Sequence, residues 1–383
     1  MEISKLDEIR GQIDQIDDEL AALFAQRMGL AADVAQVKRE TGGAVLQSGR
    51  ENEILQRLCA QADPQWHAWL RLLYTTLFQV SRAYQDRLLA AEDSPLRRQI
   101  AEAVDRGRGG FPQEANVACQ GIEGAYAHLA ARQLFAQPNM IYLRSFDAVF
   151  RAVEQGLCRY GVLPIENSTY GSVLQVYDLL KRHHCSIVGG LRMPIVHCLL
   201  SRAKFLKDIK EIYSHEQALG QCAAFLDRLG KRVTVTVCEN TAVAARMAAQ
   251  SDRTDVAAIS SEECAGLYGL EVLKRGIQDE PLNETRFIAI ARQPEICAGA
   301  NRSSVLLALK NQPGALASLL QLIAALEINL TKLESRPVPG RDFEFLFYFD
   351  MECDASQRET QVLLEGMARQ SEEFLFLGSY LEE

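Results

Sequence analysis

No Cys-x-x-Cys pair occurs in these 383 residues, and the ten cysteines lie scattered, with no Cys/His cluster at zinc spacing. A zinc ribbon and a thioredoxin-like redox centre are thereby excluded, and reduced thiols, most of them small core hydrophobes, are expected. No basic-then-apolar leader opens the sequence, and no apolar run approaches bilayer-spanning length. A GxGxxG fingerprint and a P-loop are both missing. Positive charge is short as well: 41 Lys and Arg against 50 Asp and Glu give a net charge of −9, which argues against a nucleic-acid partner. There is no low-complexity segment and no internal repeat. What remains is an ordinary globular composition, 48% hydrophobic and 24% charged, with length for two or three domains.

The clearest feature present is a helix. Its apolar positions run Ile9, Ile13, Ile16, Leu20, Leu23, Leu30, Val34 and Val37, a seam spaced by fours and threes. Arg27 fills one beat of that seam, and Lys38 returns three turns later to nearly the same face. An unpaired cation on an apolar seam is costly, so this helix is prepared to meet an anion in a dry place. Residues 4–91 read as all helix. Ser4 and Asp7 start the first helix, and Thr41, Gly42 and Gly43 end it. Two shorter helices follow near 49–62 and 66–91, the latter with Leu70, Leu73, Leu77, Val80 and Tyr84 in step. A first helix of roughly 36 residues extends about 54 Å, too long for those partners to cover, so an intertwined dimer is expected.

Further polar residues extend this constellation. Arg50 and Glu51 open the second helix, and Ser81 and Gln85 share a face of the third. Arg10 lies well around the helix from Arg27 and is assigned to the neighbouring subunit's pocket. Guanidiniums, an ammonium, one carboxylate and neutral hydrogen-bonders, without His or Cys, suit a dianion held by bidentate forks. They suit a reaction driven by compression and charge stabilisation, without proton transfer. Taken singly, each cation reads first as a solvated helix face, Arg27 within the seam excepted.

Next comes a polar stretch ending in Gly107-Arg108-Gly109-Gly110-Phe111-Pro112, read as a linker over 92–114. Beyond it, apolar runs at 117–120, 160–165, 186–188, 233–238, 256–260 and 287–291 alternate with helical segments near 125–135, 146–155, 173–182, 218–229 and 241–250. That alternation predicts an α/β domain over 115–294. Residues 302–380 read strand, helix, strand, strand, helix, strand. Strands are expected at 305–309, 330–335, 343–351 and 374–380 and helices at 314–326 and 357–369, a ferredoxin-like α+β plan. In the α/β region small polar residues crowd the strand-to-helix turns, at Gly121–His128, Glu166–Gly171, Ser214–Gln217, Asn240-Thr241 and Ser260–Glu262. Each alone is a capping signal. Several on one domain, with Thr285-Arg286-Phe287 before the last strand, favour an anion site at converging helix N-termini.

These residues carry resemblances. The first 91 residues resemble the all-helical chorismate mutases, through Arg10, Arg27, Lys38, Arg50-Glu51 and Ser81-Arg82-Ala83-Tyr84-Gln85. The resemblance implies Claisen rearrangement of chorismate to prephenate. Arg10 from a partner subunit, Arg27 and Arg50 would grip the two carboxylates. Lys38 and Gln85 would act at the ether oxygen, Glu51 would take the ring hydroxyl, and Ser81 and Gln47 would complete the chorismate contacts. Gln47 stands where family members carry Asp, and brings no charge. Residues 115–294 resemble the prephenate dehydratases, whose two-lobed fold is like type II periplasmic binding proteins, through 121–128, 164–171, 213–218 and 285–287. That implies loss of carbon dioxide and the ring hydroxyl from prephenate, giving phenylpyruvate. Thr285 would be catalytic at the leaving hydroxyl, with Asn167, Ser168, Thr169, Gln217 and Arg286 as prephenate contacts. Ile122 and Ala127 depart from the Pro and Ser common there.

Residues 303–380 resemble ACT domains, which bind amino acids between paired copies, through Gly314-Ala315-Leu316 and Glu334-Ser335-Arg336-Pro337. Phenylalanine is the implied effector, and feedback inhibition the implied regulation. Together the resemblances imply a multidomain cytoplasmic enzyme of phenylalanine synthesis, both isomerase and lyase, needing no cofactor and no metal. Chorismate, prephenate and phenylalanine would be its small-molecule partners, with no nucleic-acid or membrane partner, in a homodimer or higher homo-oligomer. Two other readings stay open: a dehydratase whose helical module only dimerises, and a non-catalytic amino-acid sensor.

Overall fold

The computed structural model describes residues 5–41, 48–89, 94–112, 114–337 and 345–383. Gln47 and the glycines after Thr41 lie outside them. The first helix, α1 (Lys5–Thr41), is followed by α2 (Ser48–Gln61) and α3 (His67–Leu89). Only Ala31 and Ala35 of α1 are buried. The seam residues from Ile9 to Val37 named above are 45–61% exposed, so the single chain leaves that apolar stripe bare. On α3 the buried residues are Phe78, Ser81 and Gln85, at helical spacing, and Leu73 is exposed.

The stretch expected as a linker contains a helix, α4 (Pro95–Gly107). Ser94 caps it by accepting from Arg97 N at 3.2 Å, with Pro95 in the first turn. Ile100 and Ala103 of α4 enter an apolar core with Ile296, Val305, Leu319, Phe349 and Leu363, which belongs to the C-terminal domain.

Two sheets form the α/β region. β1 (Glu114–Gln120), β2 (Gln137–Leu143), β3 (Tyr160–Asn167), β4 (Gly171–Ser172) and β5 (Ser186–Pro194), with α5 (Tyr126–Leu134), α6 (Phe146–Glu154) and α7 (Leu174–His183), build lobe one. Lobe two holds β6 (Cys198–Ser201), β7 (Glu211–Ser214), β8 (Thr234–Val237), β9 (Val256–Ser260) and β10 (Glu271–Lys274). Its helices are α8 (Glu216–Gln221), α9 (Ala223–Leu229), α10 (Thr241–Gln250) and α11 (Glu263–Tyr268). The chain then returns as β11 (Glu284–Ala291) into the middle of lobe one, whose order is β2-β1-β3-β11-β5, with β4 on β3. Lobe two runs β10-β6-β9-β7-β8. The two crossing segments pair with each other, Ile195 N to Asn283 O at 2.8 Å and Ile277 N to His197 O at 3.0 Å.

The last domain is β12 (Arg302–Leu309), α12 (Ala315–Ala325), β13 (Leu330–Pro337), β14 (Phe345–Met351), α13 (Arg358–Gln370) and β15 (Ser371–Tyr380), the expected order. Its antiparallel sheet, β13-β14-β12-β15, carries α12, α13 and α4 on one face. The other face lies on lobe one, where Leu306, Leu346, Tyr348 and Leu377 share a core with Tyr177, Leu180, Ile187 and Ile288. Alternate residues of one sheet therefore feed two cores. Leu381–Glu383 continue beside β5, with Gly190 N donating to Leu381 O at 3.0 Å and Arg192 N to Glu383 O at 2.9 Å.

Candidate active sites

In the helical module the seam cations meet α3. The Arg27 guanidinium stands 5.7 Å from the Phe78 ring centroid, and Nη1 reaches Leu77 O at 3.5 Å. Lys38 Nζ donates to Gln85 Oε1 at 3.2 Å, and Gln85 Nε2 lies 3.5 Å from Ser81 Oγ. Arg27, Lys38, Ser81 and Gln85 thus gather along one face of α3, two of them as buried polar side chains. Glu51 is held by Arg82, a residue to which sequence reasoning gave no role. Arg50 turns instead to Glu53 at 3.1 Å, and Arg10 to Asp7 at 3.5 Å, both in the open. The single chain does not bring these two to the cluster.

Between the lobes a polar knot surrounds Thr285. Asn167 ends β3 and lies opposite Thr285 of β11 in the ladder. Its Oδ1 accepts from Thr169 N and Tyr170 N, both at 3.0 Å, which fixes the amide's orientation. Nδ2 therefore donates, its two hydrogens shared among Thr285 Oγ1 at 2.9 Å, Asn283 Oδ1 at 2.8 Å and Glu284 O at 3.1 Å. Because Asn283 Oδ1 must accept, its Nδ2 is the free end, and this buried N–H donor finds no partner. Thr169 Oγ1 stands 3.4 Å from Asn283 Oδ1. Ser168 is committed to the crossing segment, donating to Leu282 O at 3.2 Å and accepting from Glu284 N at 2.9 Å.

Lobe two reaches the same knot through Gln221. Gln221 Nε2 lies 3.5 Å from Asn167 Oδ1, and Oε1 accepts from His197 Nε2 at 2.7 Å. Burial holds His197 below its ordinary pKa, so the neutral ring is favoured, with the Gln221 bond offsetting part of that shift. Gln217 stays a turn away, its backbone N donating to His215 Nδ1 at 3.3 Å. The glycine-rich loop of lobe one is tied across the cleft too. Ser261 Oγ donates to Gly124 O at 3.2 Å and Tyr268 Oη to Glu123 O at 2.7 Å. Gly124 has φ +88°, and a Cβ there would come within 2.7 Å of Cys264 Sγ. Asn240 proves a plain cap, accepting from Val243 N at 2.8 Å.

A chorismate mutase type II model matches residues 9–86, and a prephenate dehydratase model residues 117–295. The bifunctional chorismate mutase/prephenate dehydratase of Escherichia coli is 34% identical over 98% of this chain and 96% of its own length. The chain belongs to that family. The bifunctional chorismate mutase/prephenate dehydratases are thus matched across both modules. Arogenate dehydratase/prephenate dehydratase 2 of Arabidopsis thaliana is 38% identical over 76% of this chain and 79% of its own. A solved prephenate dehydratase from Arthrobacter aurescens, in complex with L-Phe, superposes with a TM-score of 0.63 at 29% identity, covering 69% of this chain and 89% of that one.

Against the family resemblance, several residues move. Arg286 does not join the knot. Its guanidinium is paired on the opposite face with Asp350 and Glu382, and Nη2 donates to Tyr380 Oη at 2.7 Å. Burial works against its charge, and Tyr380, Asp350, Tyr348 and Glu382 outweigh that, so the guanidinium stays protonated. Gln221, and not Gln217, reaches the knot around Asn167. In β13, Glu334 accepts from Ser172 Oγ at 2.6 Å and Arg336 donates to Asp178 at 2.9 Å, so both look toward lobe one. Leu333 and Ser335 face outward. Gly314 caps α12 at φ +84°, ahead of Ala315 and Leu316. Among the described residues no helix is long and apolar enough to cross a membrane, and no cluster of metal-ligating side chains forms.

Proposed function

We propose that the helical module rearranges chorismate to prephenate, that the cleft between the lobes turns prephenate into phenylpyruvate, and that an ACT-like C-terminal domain answers to phenylalanine. The contact between Asn167 and Thr285 carries the second step. Thr285 Oγ1 accepts from Asn167 at 2.9 Å, which leaves the hydroxyl hydrogen for a ligand. A hydroxyl that accepts a hydrogen bond also donates a stronger one. As the carbon–carbon bond to the departing carboxylate breaks, its electrons enter the ring and expel the ring hydroxide. The Thr285 hydroxyl is placed to stabilise that oxygen, and Asn283 Nδ2 supplies a second donor. No group beside Thr285 is a strong acid, so it acts by positioning more than by full proton transfer.

In the helical module Lys38 and Gln85 would part to receive the ether oxygen, and Arg27 would take a carboxylate. Arg10 and Arg50 would complete the grip from a second copy whose α1 covers the bare seam. The same reading divides the chain into 1–91, 115–294 and 302–380, and the packing of Ile100 and Ala103 supports grouping α4 with the third unit. Ten unpaired cysteines accord with a cytoplasmic home. An effector at Gly314–Leu316 and the outward side of β13 would leave Glu334 and Arg336 to report to lobe one.

Purified protein given chorismate is expected to form prephenate and then phenylpyruvate, more slowly with phenylalanine added. Thr285→Ala should let prephenate accumulate, its kcat down by about a hundredfold or more. Arg27→Ala should abolish chorismate turnover and spare prephenate turnover. Loss of neither activity in Arg27→Ala would favour a purely dimerising helical module.

A further inference from the structure

Successive side chains of a strand face opposite sides of its sheet, so the neighbours of a catalytic pair look away from the site. In the ladder of β3, β11 and β5, Thr285 lies opposite Asn167 and Met193, and the next row sets Arg286 opposite Glu166 and Arg192. In the first row Thr285 and Asn167 meet in the cleft, while Met193 packs in the apolar core of lobe one. The second row faces the C-terminal domain, and all three of its charges are taken up there. Glu166 Oε1 accepts from Lys332 Nζ of β13 at 2.5 Å. Arg286 engages Asp350 of β14, Tyr380 of β15 and Glu382. Arg192 Nε donates to Glu382 Oε1 at 3.0 Å. Arg286 is 7% exposed, Asp350 0% and Glu382 4%, so the central pairs are dry.

Dry ion pairs contribute little net stability compared with apolar residues of similar size, and their best-attested use is to fix one arrangement. Here the arrangement fixed is the register of the strand that carries Thr285. We propose that Arg286 and Glu166 are positioning residues for the dehydration. Clamped by the C-terminal domain, their row holds Thr285 Oγ1 within reach of Asn167 Nδ2, and any shift of that domain's sheet is felt first at this row. The proposal rests on the assignment of Thr285 to the leaving hydroxyl. It gives a route from the regulatory sheet to the chemistry that is one residue long.

The test uses the full-length protein, with kcat and KM for prephenate measured separately and chorismate turnover measured on the same sample. Arg286→Lys keeps the charge but reaches fewer acceptors. Asp350→Asn removes one of the two counter-ions of a buried guanidinium, leaving Glu382, and Tyr380→Phe removes one hydroxyl while keeping the ring. Thr285 acts only as the carbon–oxygen bond breaks, so its misplacement lowers kcat and spares KM. The expected losses in prephenate kcat are about tenfold or more for Arg286→Lys and Asp350→Asn and about threefold for Tyr380→Phe, with KM and chorismate turnover within about twofold. A loss of fold would multiply with any other lesion, whereas a loss transmitted through Thr285 should vanish once Thr285 is gone. Each substitution combined with Thr285→Ala should therefore be no slower than Thr285→Ala alone. Parental kcat in the single variants, or losses that multiply with Thr285→Ala, would overturn the proposal. If Asp350→Asn fails to fold, Tyr380→Phe and its double variant decide by the same two criteria. A Thr285→Ala protein with parental prephenate turnover would remove the underlying assignment, and the proposal with it.

Discussion

Asn167 gives one amide to three acceptors and accepts with the other end, so its neighbours inherit their orientations from it. Asn283 is the residue left with a donor to spare. A buried unmade bond costs about 1–3 kcal/mol, a burden removed when substrate arrives. Asn283→Ala should therefore lower prephenate kcat/KM by about tenfold or more while the thermal midpoint hardly moves, because an orphaned donor leaves together with one good bond. An unchanged kcat/KM would exclude a substrate contact. His197 adds a pH dependence. His128, His197 and His215 all titrate below the ordinary histidine value, chiefly through burial. Folding thus favours their neutral rings. That stabilisation is complete above the unfolded value of about 6.5 and is lost as pH falls through the lower folded values. The thermal midpoint should drop between about pH 7 and pH 5, and a flat profile would contradict it. The motifs drew attention to Thr285 and Asn167, which the structure brings within 2.9 Å of each other. Gln221 was not singled out, because Ser214–Gln217 drew attention to the first turn of α8 and the amide that reaches Asn167 sits one turn on. Arg286 was misread for want of one rule: it adjoins Thr285 on a strand, so both cannot enter the same cleft.

Helices and strands with long periodic patterns were readable to within a few residues, as in all six elements of the C-terminal domain. The four-residue strands β6, β7 and β10 were not, nor was seven-residue β2, which opens on Gln137-Pro138-Asn139. Four residues hold too little alternation to be told from loop unless composition helps, as the β-branched Thr234–Val237 of β8 did, and β6 is buried on both faces. The α4 helix was hidden by its glycine-rich exit, although Ser94 and Pro95 are an N-terminal signature. Its seat is tight. A Cβ on Gly107 would fall 2.1 Å from Ile296 O, and that backbone is held by Ile296 N donating to Ala103 O at 2.9 Å. Arg97 forks onto buried Glu365 at 3.0 and 3.1 Å. Gly107→Ala should cost about 3 kcal/mol or more by forcing α4 away from the sheet. Denaturant unfolding checks it, and a midpoint like the parent's would show that the contact yields freely.

At the scale of the whole molecule, the bare seam of α1 is the largest feature a single chain leaves unexplained. An exposed apolar stripe of that length is expected to be covered by another chain, and the rhythm of α1 already shows the stripe in the sequence alone. Leu23→Glu should give a monomer by sedimentation, with chorismate turnover lost and prephenate turnover retained. A dimer persisting at micromolar concentration would place the interface elsewhere. The order of modules along the chain was readable, but their order in space was not, because docking surfaces leave no period in a sequence. The ferredoxin-like plan does not say which sheet face will meet lobe one.

The seat of α4 in the C-terminal core bears on how the protein divides. Peptide-bond cleavage between Gly109 and Gly110 would leave α4 on the mutase piece and its groove on the other. Neither piece would be sealed without its mate, so two separately made polypeptides should find each other and restore the joined molecule. The Gly109-Gly110 turn is then a natural place to fuse reporters whose signal depends on reunion.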